Sequence, residues 1–401
     1  MTNKMTTKKQ VYDYIARNGI VSKAELMTQF KLKINSMTRL LEELIAENWL
    51  QEKGLGYSTG GRPPILYETN AHRGYLLGLE ISRIYSSMGL YDLHMNRLSL
   101  VRWTMDETMT PERFIDRVQE TVQSFLKQHE LSSEQIIGIG VGAVGPLDRE
   151  RGLIVDPVLF PASGWRDLPI CSLLEERLGF PALLDNGANT ALIGEHWALR
   201  SERYEHMLYV HAGAGLRSAM MSGGELVYGA TDTEGAVGQM IIQAGGPRLH
   251  DTGNYGALEA FVSLQALESK VRALSSVAGT ANLSLQQGDT TALAAQEPIT
   301  FETMIRALAK GDADVLDIFN EAAAYLGIGL ANLINVLHPE KVIIGGALLN
   351  AHETMFDTAI RVAEQNTYYY PKYKPLFSKG ILKEDAVAAG AAVMVLKKLQ
   401  L

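Results

Sequence analysis

From Tyr75 onward the chain lays out one plan twice, and that repeat limits the folds open to it more than any other feature. Residues 75–82, 84–92 and 97–103 read as strands joined by short turns, with Met95-Asn96 at the second turn. A helix over about 111–129 follows, then a buried strand from Ile136, a helix over 170–178 and a short strand Ala182-Leu183-Leu184. Asp185-Asn186-Gly187-Ala188-Asn189 opens the next helix, which runs through Ala198. The plan then restarts with strands over 206–211 and 216–221 around the turn Ala212-Gly213-Ala214-Gly215, and a further strand ending near Gly229. Helices are expected over Ala257–Gln265 and Phe301–Leu337, broken by a polar loop near 279–299, then a buried strand over Val342–Ala347 and a closing helix at about 384–399. Hairpin-linked strands followed by helices, twice over, predict two similar α/β lobes with a ligand cleft between them.

Ahead of this body, residues 22–64 have a different character. Ser22-Lys23-Ala24-Glu25 has the spacing of a capping box, which predicts a helix from Lys23 to about Phe30. After a short break, Asn35 or Ser36 caps a second helix, with Met37, Leu40, Leu41, Leu44, Ile45 and Trp49 at helical spacing. A first helix over 4–18, ended by Gly19, presents Val11, Tyr12, Ile15 and Ala16 to the other two. The polar residues Asn35, Ser36, Thr38 and Arg39 fall where a recognition helix offers side chains to base edges in the major groove. Gln51 to Tyr67 reads as a two-stranded wing whose tip sets Arg62 between glycines and prolines, a finger for a narrow minor groove. The plainer alternative is a helical module that only docks on the next domain. A short polar connection, Asn70–Gly74, leaves head and body separable.

Length and charge agree with this division. A chain of 401 residues, 46% hydrophobic, makes two or three domains. Residues 1–70 carry 10 Lys+Arg against 7 Asp+Glu, a net +3, while the remainder carries 27 against 38, a net −11. A charge of +3 is modest for a DNA-binding head, because neutralised phosphates supply much of the affinity, so two heads acting together are expected. No run of about 18 apolar residues occurs and the amino terminus lacks an apolar signal segment, so a cytoplasmic protein without a membrane partner is expected. The single cysteine, Cys171, rules out an intramolecular disulfide framework and reads as a buried thiol. Gly138 to Gly145 form a strand emptying into a glycine-rich loop, which either lets a backbone approach a small ligand or merely turns the chain.

Several blocks together resemble the ROK group of repressors and sugar kinases: Gly138–Asp148, Asp185–Glu195, Gly213–Gly224, Gly229–Glu259 and Val342–Ala347, with Gly60-Gly61-Arg62-Pro63-Pro64 similar to the wing of the repressor branch. The resemblance implies an N-terminal winged helix-turn-helix, residues 1–70, on a two-lobed actin-like α/β body. Its lobes are expected at 71–200 with 382–401, and at 201–381.

The departures from the family pattern bear on function. The resemblance places the kinases' catalytic aspartate at Gly187, and a glycine accepts no proton; losing a positioned base costs about 10²–10⁴ in rate. The first phosphate loop is Glu80-Ile81-Ser82-Arg83-Ile84 and the second Gly213-Ala214-Gly215-Leu216-Arg217-Ser218-Ala219, both short of the family's glycines. No catalytic residue and no cofactor is therefore expected. The family's zinc ligands fall on Gln239, His250, Thr252 and Ala257, of which only His250 binds metal, so no zinc site is expected and His250 reads as a loop histidine. The loop Ala244–Tyr255 must then be held by packing or by a ligand. By the same correspondence Asn186, Gln239 and Glu259 line the sugar pocket, where Ala236 replaces a further glutamate. Glu259 equally reads as a helix amino-terminal acid. Arg217 binds a carboxylate or phosphate on the effector, or pairs with a nearby acid.

Tyr368 to Lys374 reads as a packed surface loop or subunit contact, and His338-Pro339-Glu340 as a helix stop. The expectation overall is a sugar-responsive regulator, a homodimer or homotetramer on a double-stranded DNA operator, with a small carbohydrate-like effector between its lobes. The alternatives are a sugar kinase carrying an added head, and a body that binds a protein partner instead of a small molecule.

Overall fold

The computed structural model describes residues 6–57, 63–157, 160–232, 234–281, 299–399 and 401. Residues with mutual contacts group into two units, Met1–Arg203 with Asp385–Leu401, and Tyr204–Glu384.

The first unit begins with helix α1 (Thr7–Asn18), strand β1 (Val21–Ser22), helices α2 (Lys23–Phe30) and α3 (Ile34–Ala46), and strands β2 (Leu50–Leu55) and β3 (Ile65–Thr69). Val11, Tyr12, Ile15, Leu26, Met37, Leu41 and Leu44 are buried, each large side chain contributing about 1.5–3 kcal/mol by leaving water. The strands order as β1-β3-β2, all antiparallel. Ser22 caps α2 by accepting from Glu25 N, but the other half of the expected box is absent. The Glu25 carboxylate instead accepts the Tyr14 hydroxyl of α1 at 3.0 Å. Neither Asn35 nor Ser36 caps α3, because the helix starts earlier, with Lys33 at its N-cap and no side-chain cap bond.

The same unit continues with β4 (Tyr75–Ile81), β5 (Tyr85–Asp92), β6 (Arg97–Thr104), α4 (Pro111–Gln128) and β7 (Ile136–Ala143). A small ribbon, β8 (Leu147–Asp148) and β9 (Leu153–Ile154), precedes α5 (Ile170–Leu178), β10 (Ala182–Asn186) and α6 (Gly187–Ala198). The sheet runs β10-β7-β4-β5-β6, with β5 antiparallel to both neighbours and β4, β7 and β10 parallel.

In the second unit, β11 (Met207–Ala212), β12 (Leu216–Ser222) and β13 (Glu225–Leu226) form hairpins. Helices α7 (Leu264–Ala281), α8 (Phe301–Ala309) and α9 (Ala313–Leu337) lead to β14 (Lys341–Gly345), and α10 (Ala347–Ala351) and α11 (Glu353–Gln365) lead to β15 (Leu376–Ser378). The order β13-β12-β11-β14-β15 is the first sheet's scheme again: three hairpin-linked strands, a fourth parallel to the first, a fifth parallel to the fourth. The helix expected over Ala257–Gln265 is instead a 3-10 turn at Leu258–Ala260 followed by α7 from Leu264, whose amide is held by the Gly213 carbonyl at 3.0 Å. Most of the polar loop expected near 279–299 lies outside the described residues.

The last helix, α12 (Ala386–Lys397), returns to the first unit and packs across its sheet and on α6. This contact explains the glycines of β7. A Cβ at Gly140 would lie 1.9 Å from the Ala391 carbonyl oxygen, and one at Gly390 would lie 1.6 Å from that of Thr190. Gly138 and Gly142 likewise face the Pro181 carbonyl and the side chains of Thr190 and Val387, so along Gly138–Gly142 the approach the glycines permit is that of protein atoms, not of a ligand.

Candidate functional site

On α3, Asn35, Ser36 and Arg39 are exposed and Thr38 is half-buried. Arg39 Nε donates to Glu43 Oε1 at 2.9 Å, one turn along the helix; so exposed a pair is weak and leaves the guanidinium available to a phosphate or base. Thr38 is more committed. Its hydroxyl donates to the Ile34 carbonyl at 2.7 Å and accepts from Lys23 Nζ of α2, a link that no local spacing signals. Arg62 lies outside the described residues. Below the wing tip, Glu68 accepts from Gln51 Nε2 at 2.6 Å and pairs with Lys53 at 3.0 Å. Burial works to raise this carboxyl, but hydrogen bonds from Lys53 and Gln51 and the charges of Lys53 and His94 hold it below the usual range.

In the first unit, Asn186 is the N-cap of α6 and only 3% exposed. Its Oδ1 accepts from Asn189 N at 2.8 Å, so this oxygen satisfies an orphan amide of the helix. Asp185 organises the corner: its Oδ1 accepts from Asn186 N and from Asn189 Nδ2, both at 2.8 Å. Gly187 is the first residue of the helix and is buried. The role of Asp185 escaped the sequence reading, although an aspartate four residues before an asparagine at a helix start is a spacing that signals it.

In the second unit, Gln239 ends the 3-10 helix Glu234–Gln239, which also holds Ala236. Gln239 Nε2 donates to Glu259 Oε2 at 3.0 Å, and its Oε1 accepts from Asn254 N at 2.8 Å. Asn254 Nδ2 returns to the Gln239 carbonyl at 2.9 Å. Asn254 could not be singled out from the sequence, because only the folded loop brings it to Gln239. The half-buried carboxylate of Glu259 faces the Gly213–Gly215 turn, and a Cβ at Gly215 would come within 2.7 Å of its Oε1. Arg217 follows on β12, opposite His211 of β11. It is half-buried and makes no ion pair or hydrogen bond among the described residues, so the acid partner weighed for it is not there. The turn, Gln239 and Glu259 thus form one cluster beside a strand that carries an uncommitted guanidinium.

The loop Ala244–Tyr255 is held by bonds within it, by its flanking residues and by α9. Gly256 N donates to Pro247 O at 2.8 Å, Ile242 N to Gly256 O at 2.9 Å, and Tyr325 of α9 to Gln243 Oε1 at 3.1 Å. Arg248 pairs with Asp251 and lies 4.8 Å over the Tyr255 ring. Among the described residues no three His, Cys, Asp or Glu side chains gather as a metal site. His250 is half-buried in this loop, and its carbonyl accepts from Gly253 N at 3.0 Å. Elsewhere in the unit, His338 ends α9 in the left-handed conformation, and Tyr368 and Tyr369 stand exposed beside a packed Tyr373, whose hydroxyl donates to Pro339 O.

The chain belongs to the ROK family, whose model matches residues 76–398. It is 27% identical over 400 residues to the xylose repressor of Caldicellulosiruptor bescii, spanning 99% of this chain and 96% of that protein. Among solved structures it resembles a ROK family transcriptional regulator, a homologue of the Escherichia coli MLC protein, with a TM-score of 0.77 at 21% identity over 97% of this chain and 96% of that one. It also resembles the ROK hexokinase of Thermus thermophilus, with a TM-score of 0.62 at 26% identity over 80% of this chain and 97% of that one. The two-sheet body is thus the actin-like fold of ROK sugar kinases and regulators.

Proposed function

We propose that the chain is a sugar-responsive transcriptional repressor of carbohydrate metabolism, acting in the cytoplasm on double-stranded operator DNA as a homodimer or homotetramer, and that it does not phosphorylate its ligand. The observation that carries the reading is the likeness to a xylose repressor along essentially the whole chain, head included. The family match, by contrast, begins only at residue 76. Residues 1–70 are read as a winged helix-turn-helix. Helix α3 enters the major groove with Asn35, Ser36, Thr38 and Arg39, and the β2–β3 wing brings Arg62 to the minor groove. The body divides into lobes at 71–200 with 382–401, and at 201–381.

The effector reading rests on the second unit. Glu259 and Gln239 supply hydroxyl partners, and Arg217, which makes no ion pair among the described residues, adds charge for an acidic or phosphorylated sugar. Asn186 enters this reading only as the residue that shapes the start of α6. No base stands at Gly187 to take a sugar hydroxyl proton, and among the described residues no helix is long and apolar enough to cross a membrane.

Selection of duplexes from a random-sequence DNA pool tests the DNA reading, followed by anisotropy titrations at several salt concentrations. A specific site with nanomolar-range affinity is expected, weakened by Arg62→Ala together with a salt slope lower by about 1. Failure of the wild-type protein to enrich any sequence would overturn the reading.

A further inference from the structure

The expected short polar connection between head and body proves to be a fully bonded joint. Only Asn70–Gly74 separate β3 from β4. Asn70 N donates to Trp49 O at 2.9 Å, and the Asn70 side chain and carbonyl accept from His72 N and Arg73 N, closing a 3-10 turn over Ala71–Arg73. Arg73 then reaches back to the reading helix: its Nε donates to the carbonyl of Glu47, the C-cap of α3, at 3.0 Å. Its guanidinium lies 4.7 Å over the Trp49 ring, which packs against Tyr12 of α1 at 5.8 Å. From the body side, Leu93 N donates to Ala71 O at 3.1 Å and His94 Nε2 to Thr69 O at 2.7 Å. The His94 and Asn96 amides are both fixed by Asp92 Oδ1 at 2.9 Å, at the turn between β5 and β6. At Gly74 the chain passes close to the sheet: a Cβ there would lie 2.6 Å from the Ile137 side chain of β7.

Resting on the DNA-binding reading above, we propose that Arg73 and His94 are positioning residues. Without touching DNA, they lock α3 to the first unit's sheet and so set the one spacing between half-sites that two copies of the chain can read. The cause is geometric. Half-sites read by paired heads lie about one helical turn apart, about 34–36 Å, so a head free to swing accepts several spacings and a locked one accepts a single value. A cation stacked on an indole and a donor on the last carbonyl of α3 fix both the tilt and the end of that helix.

Two experiments on the full chain separate the joint from the DNA reading. In the first, nitroxide labels at Arg39→Cys on α3 and Lys127→Cys on α4, in a Cys171→Ala background, report the distance distribution by electron double resonance. A narrow distribution is expected for the otherwise unaltered protein, and one at least twice as broad after Arg73→Ala with His94→Ala. Equal widths overturn the proposal. In the second, wild type and the Arg73→Ala, His94→Ala variant each select from a pool of random duplexes. The variant is expected to enrich the same half-site at two or more spacings where wild type enriches one, with an unchanged salt slope. Enrichment of the same single spacing by both proteins overturns the joint while leaving DNA binding standing, whereas a wild type that enriches nothing refutes the DNA reading itself. Should the double variant not fold, insertion of two glycines between Asn70 and Ala71 releases the same constraint and carries the same expected outcomes.

Discussion

The corner Asp185–Asn189 in the first unit and the cluster of Arg217, Gln239 and Glu259 in the second hold the polar residues that the sequence offered as one binding pocket, yet they are built in opposite ways. In the first corner the groups face inward: Asp185 orders two partners, Asn186 Oδ1 caps α6, and the corner is buried. In the second, Gln239 and Glu259 bond to each other in a half-buried position, and Arg217 has no partner among the described residues. The first corner spends these groups on ordering the start of α6. In the second, the Arg217 guanidinium makes no hydrogen bond or ion pair among the described residues, which is the capacity the proposed effector site uses.

The contrast can be broken by substitution. The largest effect is expected from Gly390→Ala, whose Cβ meets the Thr190 carbonyl where α12 presses on α6; this overpacking is expected to cost about 3 kcal/mol or more, read as a fall in denaturation midpoint. Next comes Asn186→Ala, which removes the cap of α6 and is expected to cost about 1–2 kcal/mol, while Asn186→Asp, which keeps an acceptor, costs less. If Asn186→Ala left stability untouched and abolished ligand binding, the first corner would belong with the second.

Arg217→Ala is expected to do the reverse. Its change in stability stays within about 0.5 kcal/mol, as for a side chain with no partner among the described residues. It is also expected to remove the stabilisation given by sugar acids or sugar phosphates in a thermal-shift panel, which reaches about 2.7 kcal/mol for a ligand at 100 times its dissociation constant. The smallest effect concerns the closed interior of the first unit. Burial first, and the charge of Glu175 second, push the Cys171 thiol from its ordinary value of 9.0 up to about 12. The folded state therefore holds this proton where the unfolded chain releases it. The associated stability is intact below about pH 9 and is lost as pH rises toward about 12, and at pH 8 the thiol is expected to react with a thiol reagent only after unfolding.

Most of the strand and helix plan was legible because alternation and helical spacing report burial directly, and the first sheet formed from the strands expected; the second gained an edge strand, β15, of three residues too short to show an alternation, reached through α10 and α11, which were not expected either. Three local readings failed for one reason, that partners distant in sequence decided the outcome. The glycines of β7 serve α12, some 250 residues later, as a Cβ at Gly140 meeting Ala391 makes plain. Glu25 found Tyr14 instead of its own helix start. Glu259 sits on a 3-10 turn because α7 begins only where Gly213 receives its first amide. Asn186 and Gln239 were singled out as sugar partners through the family resemblance, but what each bonds to within the chain, and that Arg217 bonds to nothing described, depends on packing that no spacing encodes.

The proposal that the body senses a sugar without phosphorylating it turns on Gly187, whose side chain offers no proton acceptor, and a coupled assay of ADP release tests it directly. Purified protein supplied with ATP, Mg²⁺ and a panel of hexoses, pentoses, amino sugars and sugar acids is expected to show no sugar-dependent turnover. Phosphorylation of any of them at an ordinary enzymatic rate, about 10 s⁻¹, would contradict it.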